Sequence, residues 1–381
     1  MSTLRHPIYD EDSQFLREQI RRFCDHEIEP HGEAWEAAGR FPKELYEKAG
    51  EAGLLGLGFP EEYGGTGGDI LYYCLVREEI AYTGFAGVRV GLFAHGIGLP
   101  PVINLGSEAM KQRIAPQVLS GEKIICLAIS EPEAGSDVAQ LRTTARRDGG
   151  HFVVNGQKMF ISNGIRADYA TVAVRTGGEG MAGLSLLLVE GDTPGFSRTP
   201  LQKSGWWTSD TAALYFDDCR VPVENLIGEE NAGFKGMMAN FNLERLGIAA
   251  TQVGITRCCY HEALAYAQQR KTFGQHLIEH QVVRHKLVDM STRIQAMEGM
   301  LDNAIWQVMQ GNPSITEIAQ LKAFAGVAHE ACAADAVQIM GGAGIIRGSK
   351  IERIFRESKI LSIGGGSAEV MKDLAARQMK Y

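Results

Sequence analysis

The hydrophobic period of this chain changes twice, and the two changes bound what it can fold into. Residues 11 to about 55 carry apolar side chains at helical spacing, with Phe15, Ile20, Phe23 and Ile28 on one stretch. Pro30 and Pro42 punctuate this region, and "PEEYGGTGGD" (60–69) reads as a Gly-rich loop. Helical pattern resumes from about Tyr72 to Val118, broken near Gly96–Pro101. From Cys126 the period shortens. "IICLAIS", "HFVVNG", "YATVAV", "LSLLLVE" and "AALYFDD" are strand-length runs separated by Gly, Asp and Pro turns. Short strands without intervening helices imply a small antiparallel barrel or sandwich, and the barrel is the form expected here. Beyond about Gly233 long helices return, one from about Gly236 to Gln269 and two more before the C-terminus. The expected fold class is therefore α+β: an N-terminal α-helical domain (1–122), a central antiparallel β-barrel domain (123–232) and a C-terminal four-helix-bundle domain (233–381).

The stretch from Cys126 to Gly164 is the richest in chemistry. "CLAISEPEAGSD" (126–137) leaves an apolar run for a loop with Pro132, Ala134 and Gly135, where backbone can approach a ligand and present N–H groups. "HFVVNGQKMFIS" (151–162) sets an Asn-Gly pair between two apolar runs, the pattern of a β-hairpin. Ser130, Ser136 and Ser162 add hydroxyls and Phe160 adds a flat apolar face. Asp137 is placed to cap a helix or turn. Such a set suits a planar heteroaromatic ring joined to a polyol and a pyrophosphate, and a flavin fits that description.

Composition excludes several other classes. With 22% charged and 45% hydrophobic residues the chain reads as an ordinary globular protein. A net charge of −8 without a basic tract argues against a general nucleic-acid binder. Seven cysteines (24, 74, 126, 219, 258, 259 and 332) show neither paired spacing nor a Cys-x-x-Cys. They read as reduced, mostly buried thiols in a cytoplasmic protein, and no metal centre is expected. "MSTLRHPIYDEDSQF" lacks an apolar h-region, and no run approaches the length of a membrane span.

Five segments together resemble the acyl-CoA dehydrogenase family over essentially the whole chain. They are 126–137, 159–164, "FDDCRVPVENLIGEENAGF" (216–234), "RKTFG" (270–274) with Gln281, and "QIMGGAGI" (338–345). The resemblance implies noncovalent FAD, an acyl-CoA substrate, an electron-transferring flavoprotein as acceptor, and a homotetramer built as a dimer of dimers. It implies flavin contacts at Leu127, Ser130, Gly135, Ser136, Phe160, Ile161, Ser162, Ser367 and Glu369. Arg270, Phe273, Gln281, Gln338, Gly341 and Gly342 would reach the adenine-diphosphate half of a neighbouring subunit's FAD. On residue type alone, Arg270 is either an anion ligand or a surface ion-pair partner; its planar guanidinium suits pyrophosphate. Phe273 alone reads more readily as core, and Gly341, Gly342 and Gly344 as a helix-ending loop.

The chemistry implied by the resemblance removes an α-proton from an acyl thioester while the β-hydrogen leaves as hydride. It needs a carboxylate near the α-carbon, in an apolar cavity that raises its pKa. It also needs donors at the thioester oxygen. Most family members carry that glutamate in a Tyr-Glu-Gly-Thr-like loop near the C-terminus; the loop here is Ile363-Gly364-Gly365-Gly366-Ser367, with glycine at the glutamate position. The isovaleryl-CoA and long-chain types place the base on a bundle helix in a Leu-Glu-Arg or Gln-Glu-Arg context, and this chain has Leu243-Glu244-Arg245. Glu244 is the expected base. Its helical neighbours Asn240, Phe241, Gly247 and Ile248 include no cation, and Arg245 is turned about 100° away. The bland alternative is a solvated helix glutamate. Glu369, the nearest rival, has Lys372 at i+3 and reads as a surface pair; Glu131 and Glu133 read as structural or close to CoA.

Ser136, Leu243, Glu244, Arg245, Gly365 and Gly366 are the expected substrate contacts, the N–H of Gly365 facing the thioester oxygen. Leu92, Phe93, Ala94, His95 and Gly96 are candidate acyl-lining positions, although His95 alone reads as a satisfied core or loop histidine. Glycine at 365 opens volume suited to branched or bulky acyl chains. Trp206 and Trp207 read as packing. The readings kept open are a dehydrogenase, an oxygen-using flavin oxidase or hydroxylase of the same fold, and a non-catalytic, DNA-associated flavoprotein.

Overall fold

The computed structural model describes residues 6–381; the first five residues of the N-terminal stretch read above lie outside the described residues. Eight helices come first: α1 (Glu11–Phe23), α2 (Gly32–Ala38), α3 (Glu44–Glu51), α4 (Ile70–Tyr82), α5 (Ala86–Leu92), α6 (His95–Gly98), α7 (Pro100–Leu105) and α8 (Glu108–Leu119). Their starts follow local chemistry. Asp10 accepts the N–H of Ser13, Asp69 those of Leu71 and Tyr72, and Ser107 that of Met110, each satisfying donors that a helix N-terminus leaves free.

Strands β1 (Ile125–Ala128), β2 (Thr144–Asp148), β3 (His151–Ser162), β4 (Tyr169–Arg175), β5 (Leu184–Glu190), β6 (Phe196–Pro200), β7 (Thr211–Pro222) and β8 (Leu226–Ile227) follow. They form one sheet in the order β6-β7-β3-β2-β4-β5-β8, with β1 also on β4. The expected closed antiparallel barrel is corrected on two points. Among the described residues the ladder is open, with β6 and β8 at its ends. It is also mixed, because β1 runs parallel to β4 from Ile125↔Tyr169 to Ala128↔Val172. β2 meets the far end of the same β4 edge at Thr144↔Arg175, also in parallel. The chain thus follows one edge of β4, leaves it as the loop 129–143, and rejoins it.

The expected hairpin at Asn155–Gly156 is a second correction. β3 is a single strand of 12 residues, and the turn lies at Gly149–Gly150, between β2 and β3. Asn155 and Gly156 mark a register shift against β7, which is a bulge. A Cβ on Gly156 would fall 2.7 Å from the Cα of Thr143, so glycine serves here to admit a neighbouring backbone.

The C-terminal part contains α9 (Gly233–Gln269), a short hairpin of β9 (Lys271–Thr272) and β10 (Gln275–His276), α10 (Gln281–Met309), α11 (Ile315–Met340), α12 (Lys350–Glu357), α13 (Ile360–Ile363) and α14 (Ala368–Gln378). α9 packs against α4, α10 and α11, and α11 against α14. α9 therefore buries several faces: Leu246, Ala249, Ala250 and Val253 enter a core shared with α4 and α5, and Ile255, Cys259, Ala263 and Ala267 a second core with α10 and α11. All seven cysteines are free and buried. No single helix among the described residues is long and apolar enough to cross a membrane.

Candidate active site

Two groups of residues singled out above come together, and α5 connects them. The first is the expected flavin seat. The loop 129–143 is pinned to β3 where the N–H of Met159 donates to the carbonyl of Ser130 at 2.8 Å. Beneath it lies a buried ion pair. Lys158 Nζ, wholly enclosed, donates to Glu131 Oε1 at 2.7 Å and to the carbonyl of Ile129 at 3.0 Å. The Glu131 carboxylate also accepts the N–H groups of Arg142 (2.7 Å) and Thr143 (3.0 Å). Glu131 is thus a structural clamp, one of the two readings the sequence left open. Despite its burial, Lys158 and these donors hold its carboxyl below the usual range, while burial pulls Lys158 down to about 8.

Above this clamp the donors are free. The hydroxyls of Ser130, Ser136 and Ser162 and the N–H groups of Gly135 and Ser136 have no hydrogen-bond partner among the described residues, and a Cβ on Gly135 would meet nothing within 4 Å. Phe160 adopts a left-handed conformation (φ 64°) at a second irregularity of the β3–β7 ladder and is 69% exposed. Backbone strain at an exposed aromatic fits a surface kept for a ligand. Leu127 is half-buried in β1, and Ile161 is buried in the sheet core. An open cradle with unspent donors and a flat face fits FAD. Asp137 precedes a 3-10 turn, but its side chain caps nothing; the turn closes through its carbonyl, which accepts the N–H of Gln140.

The second group surrounds Glu244. Its carboxylate lies deep in the protein, although the residue as a whole keeps intermediate exposure. It makes no hydrogen bond or ion pair among the described residues. Gly365 (φ 69°) comes to it from the loop after α13: a Cβ there would stand 3.7 Å from Glu244 Oε1 and 2.3 Å from Ile248 Cδ1. The Gly365 N–H is unpaired among the described residues. Arg245 holds this loop by its Nε, 3.5 Å from the carbonyl of Gly365, and reaches Asn242 Oδ1 at 3.1 Å. Lys322, buried on α11, donates to the carbonyls of Ser362 (3.4 Å) and Gly366. Leu243 turns outward on the same helix turn, and Ser367 caps α14 through the N–H of Val370.

The electrostatics around Glu244 differ from what its helix neighbours suggest. Burial pushes its carboxyl above the usual range, and Arg245, Arg89 and Lys322 oppose that rise. Arg245 is close enough to count, and Arg89 and Lys322 come from α5 and α11. Neither of these two stands out in the sequence, because a buried cation looks there like any surface one. Arg89 Nη2 lies 3.4 Å from the carbonyl of Gly247, one turn past Glu244. Two residues along α5, the carbonyl of Gly91 accepts Asn163 Nδ2 at 2.7 Å and Tyr46 Oη at 3.1 Å. Asn163 lies in the second flavin segment, so α5 touches both the cradle and the helix that carries Glu244.

The candidate acyl-lining residues Leu92 to Gly96 are all buried and packed rather than open to a cleft. His95 is a core histidine with ring nitrogens 3.3 and 2.9 Å from the carbonyls of Leu92 and Leu55; burial drives its pKa down to about 4, so the neutral ring donates to one of the two. Glu369 is exposed in the first turn of α14, where its own backbone N–H, Ser367 and Lys372 keep its carboxyl below the usual range.

The remaining residues gather at one end of the bundle. Phe273 and Gly274 (φ 50° and 83°) form the tip of the β9–β10 hairpin, and Phe273 is 98% exposed rather than core. Arg270 and Gln281 are exposed, and Arg270 has no ion-pair partner among the described residues. Leu277 and Ile278, just past the hairpin, and Val337 and Met340 of α11 pack on the same core cluster, which brings exposed Gln338, Gly341 and Gly342 to the same end. Trp206 and Trp207 do pack: Trp206 N–H donates to buried Glu357 at 2.6 Å, and Arg347 and Arg356 lie over the Trp207 ring. Trp207 also walls a cavity of about 740 Å³ between α2, the β6–β7 linker and α12, away from Glu244.

Comparisons with known proteins cover the chain end to end. Family models for the acyl-CoA dehydrogenase N-terminal, middle and C-terminal domains match residues 10–122, 126–219 and 231–380. An acyl-CoA dehydrogenase of Bacillus subtilis (strain 168) is 37% identical over 97% of this chain and 98% of its own length. The mitochondrial long-chain specific acyl-CoA dehydrogenase of Sus scrofa is 36% identical over 98% of this chain and 88% of its own. Among solved structures, acyl-CoA dehydrogenase from Geobacillus kaustophilus superposes with a TM-score of 0.94 at 35% identity, covering 98% of this chain and 100% of that one.

Proposed function

The chain belongs to the acyl-CoA dehydrogenase family of FAD-dependent oxidoreductases, and from that premise we propose that it desaturates an acyl-CoA thioester to the trans-2-enoyl-CoA with Glu244 as base. The observation that carries this reading is the Glu244 carboxylate, unpartnered among the described residues and with Oε1 3.7 Å from where a Cβ on Gly365 would stand.

Burial keeps the Glu244 carboxyl above the ordinary range, which makes the carboxylate a better proton acceptor near neutrality. It takes the α-proton of the thioester; the electrons of that C–H bond form the α,β double bond as the β-hydrogen departs with its own pair. FAD, when bound, supplies the two-electron acceptor for that hydride. The free N–H of Gly365 donates to the thioester oxygen as charge builds there. Arg245 and Lys322 hold the loop carrying that donor. Ser130, Ser136, Ser162, Gly135 and Phe160 form the seat for FAD. Arg270, Phe273, Gln281, Gln338, Gly341 and Gly342 reach the FAD of a neighbouring copy in a tetramer, and an electron-transferring flavoprotein reoxidises the enzyme.

Anaerobic bleaching of the flavin by acyl-CoA tests the reading. Glu244→Gln should retain FAD and lose bleaching, whereas Glu369→Gln should still bleach. A Glu244→Gln enzyme reduced at near-parent rate refutes the assignment. Rapid peroxide release in air would identify an oxidase instead.

A further inference from the structure

The loop that carries the free donors of the FAD seat is clamped from two sides. Glu131, held by Lys158, fixes the N–H groups of Arg142 and Thr143 at its return to the sheet. The second clamp is Arg175, the last residue of β4, whose backbone N–H donates to the carbonyl of Thr143 at 2.7 Å. Its guanidinium meets four main-chain carbonyls. Nε donates to Leu141 at 2.9 Å and Nη2 to Ala139 at 2.7 Å. Nη1 donates to Gly178 at 2.6 Å and to Gly180 at 3.0 Å. Ala139 lies three residues past Ser136, so one edge of the fork grips the seat loop just beyond its free donors.

The other edge rests on a braced segment. The N–H groups of Thr176 and Gly177 donate to the carbonyl of Gly183 at 3.0 and 3.1 Å, which folds 176–183 onto itself. Thr176 Oγ1 donates to Asn231 Oδ1 at 2.9 Å and lies 2.5 Å from Ser185 Oγ, which accepts the N–H of Asn231 at 2.7 Å. Asn231 stands two residues before α9. Arg175 thus joins the seat loop to a segment tied to β5 and to the approach to α9. No carboxylate pairs with it among the described residues; its donors are spent on fixing backbone. A planar guanidinium holds several carbonyls in set directions at once, which the single ammonium of a lysine does not.

We propose that Arg175 is a positioning residue for the cofactor: it holds the segment Gly135–Asp137 in the conformation that receives FAD, without touching FAD itself. The N–H groups of Gly135 and Ser136 have no partner within the loop to fix their direction. Without the outer clamp the segment would be ordered only when FAD arrives, and that ordering would be subtracted from the affinity. With the clamp the donors are aimed beforehand. This inference rests on the FAD seat described above and deepens it.

The test is FAD release from the loaded enzyme on serial dilution, read as flavin fluorescence, in the parent, Arg175→Met and Arg175→Lys proteins, with hydrogen exchange of the loaded proteins alongside. Arg175→Met should raise the FAD dissociation constant by about tenfold to a hundredfold, the equivalent of one charged hydrogen bond. Arg175→Lys should recover part of that loss, and it carries the comparison alone if Arg175→Met does not fold. Amides of residues 134–141 should exchange faster in the variants while those of β4 and β5 keep the protection of the parent. A dissociation constant unchanged in both variants overturns the inference. So does faster exchange spread evenly over the sheet with no excess in 134–141, since Arg175 would then serve general stability alone. FAD release is measured without acyl-CoA, so it judges Arg175 whether or not any thioester bleaches the flavin.

Discussion

Gly365 offers the sharpest quantitative test of the site, because two separate costs of adding one methyl group can be separated. Gly365→Ala places a side chain on a backbone at φ 69°, where an L-residue pays about 1–2 kcal/mol. The new Cβ would also stand 2.3 Å from Ile248 Cδ1, an overlap costing about 1–3 kcal/mol in a packed site. The expected destabilisation is the sum, about 2–5 kcal/mol. Ile248→Val removes the overlapping atom at about 0.5–1.5 kcal/mol on its own account. In that background Gly365→Ala should cost only the backbone part, leaving a coupling of about 1–3 kcal/mol between the positions. The assay is a double-mutant cycle on urea unfolding of the FAD-loaded protein, followed by flavin fluorescence and circular dichroism. Activity should respond separately: a methyl 3.7 Å from Glu244 Oε1 occupies space the α-carbon needs, and kcat/KM should fall about a hundredfold. A penalty below about 0.5 kcal/mol, or one equal in both backgrounds, would refute the packing of this loop on Ile248.

Two other side chains make distinct predictions. Lys158→Met leaves the buried Glu131 carboxylate without its cation and should cost about 3–5 kcal/mol and loosen FAD, with Lys158→Met/Glu131→Gln recovering much of the loss; melting temperature and bound-flavin content read it. Lys322→Met removes a charge that lowers the Glu244 carboxyl, so Glu244 should hold its proton to higher pH and the acid limb of kcat/KM should move alkaline. The difference should appear below about pH 8, where burial leaves Lys322 still protonated, and an unmoved limb would show that Lys322 does not act on Glu244.

The order of helical and strand regions was legible because periodicity is local, and so were the segments that meet at Ser130 and Met159. The Asn155–Gly156 pair misled because a bulge and a hairpin turn use the same residues; the backbone of Thr143 decides between them. The parallel course of β1 on β4 was hidden, since strand direction depends on a partner more than 40 residues away in sequence. Around Glu244 the helix neighbours were read correctly as uncharged, but α5 and α11 bring Arg89 and Lys322 from other parts of the chain. Their convergence on Glu244 is a tertiary property with no sequence signal. Phe273 read as core on residue type alone, and only the positive φ values at Phe273 and Gly274 project it outward.

The position of Glu244 on a helix of 37 residues has a consequence for how such an enzyme can diversify. A base carried on a terminal loop would have to move whenever that loop were reshaped for a new acyl group. Here the proton acceptor is indexed to a girder packed chiefly on α4, α10 and α11. The loop at 363–367 can then be lengthened, bent or refilled while the reacting α-carbon keeps the same acceptor, so substrate range and proton chemistry can vary independently.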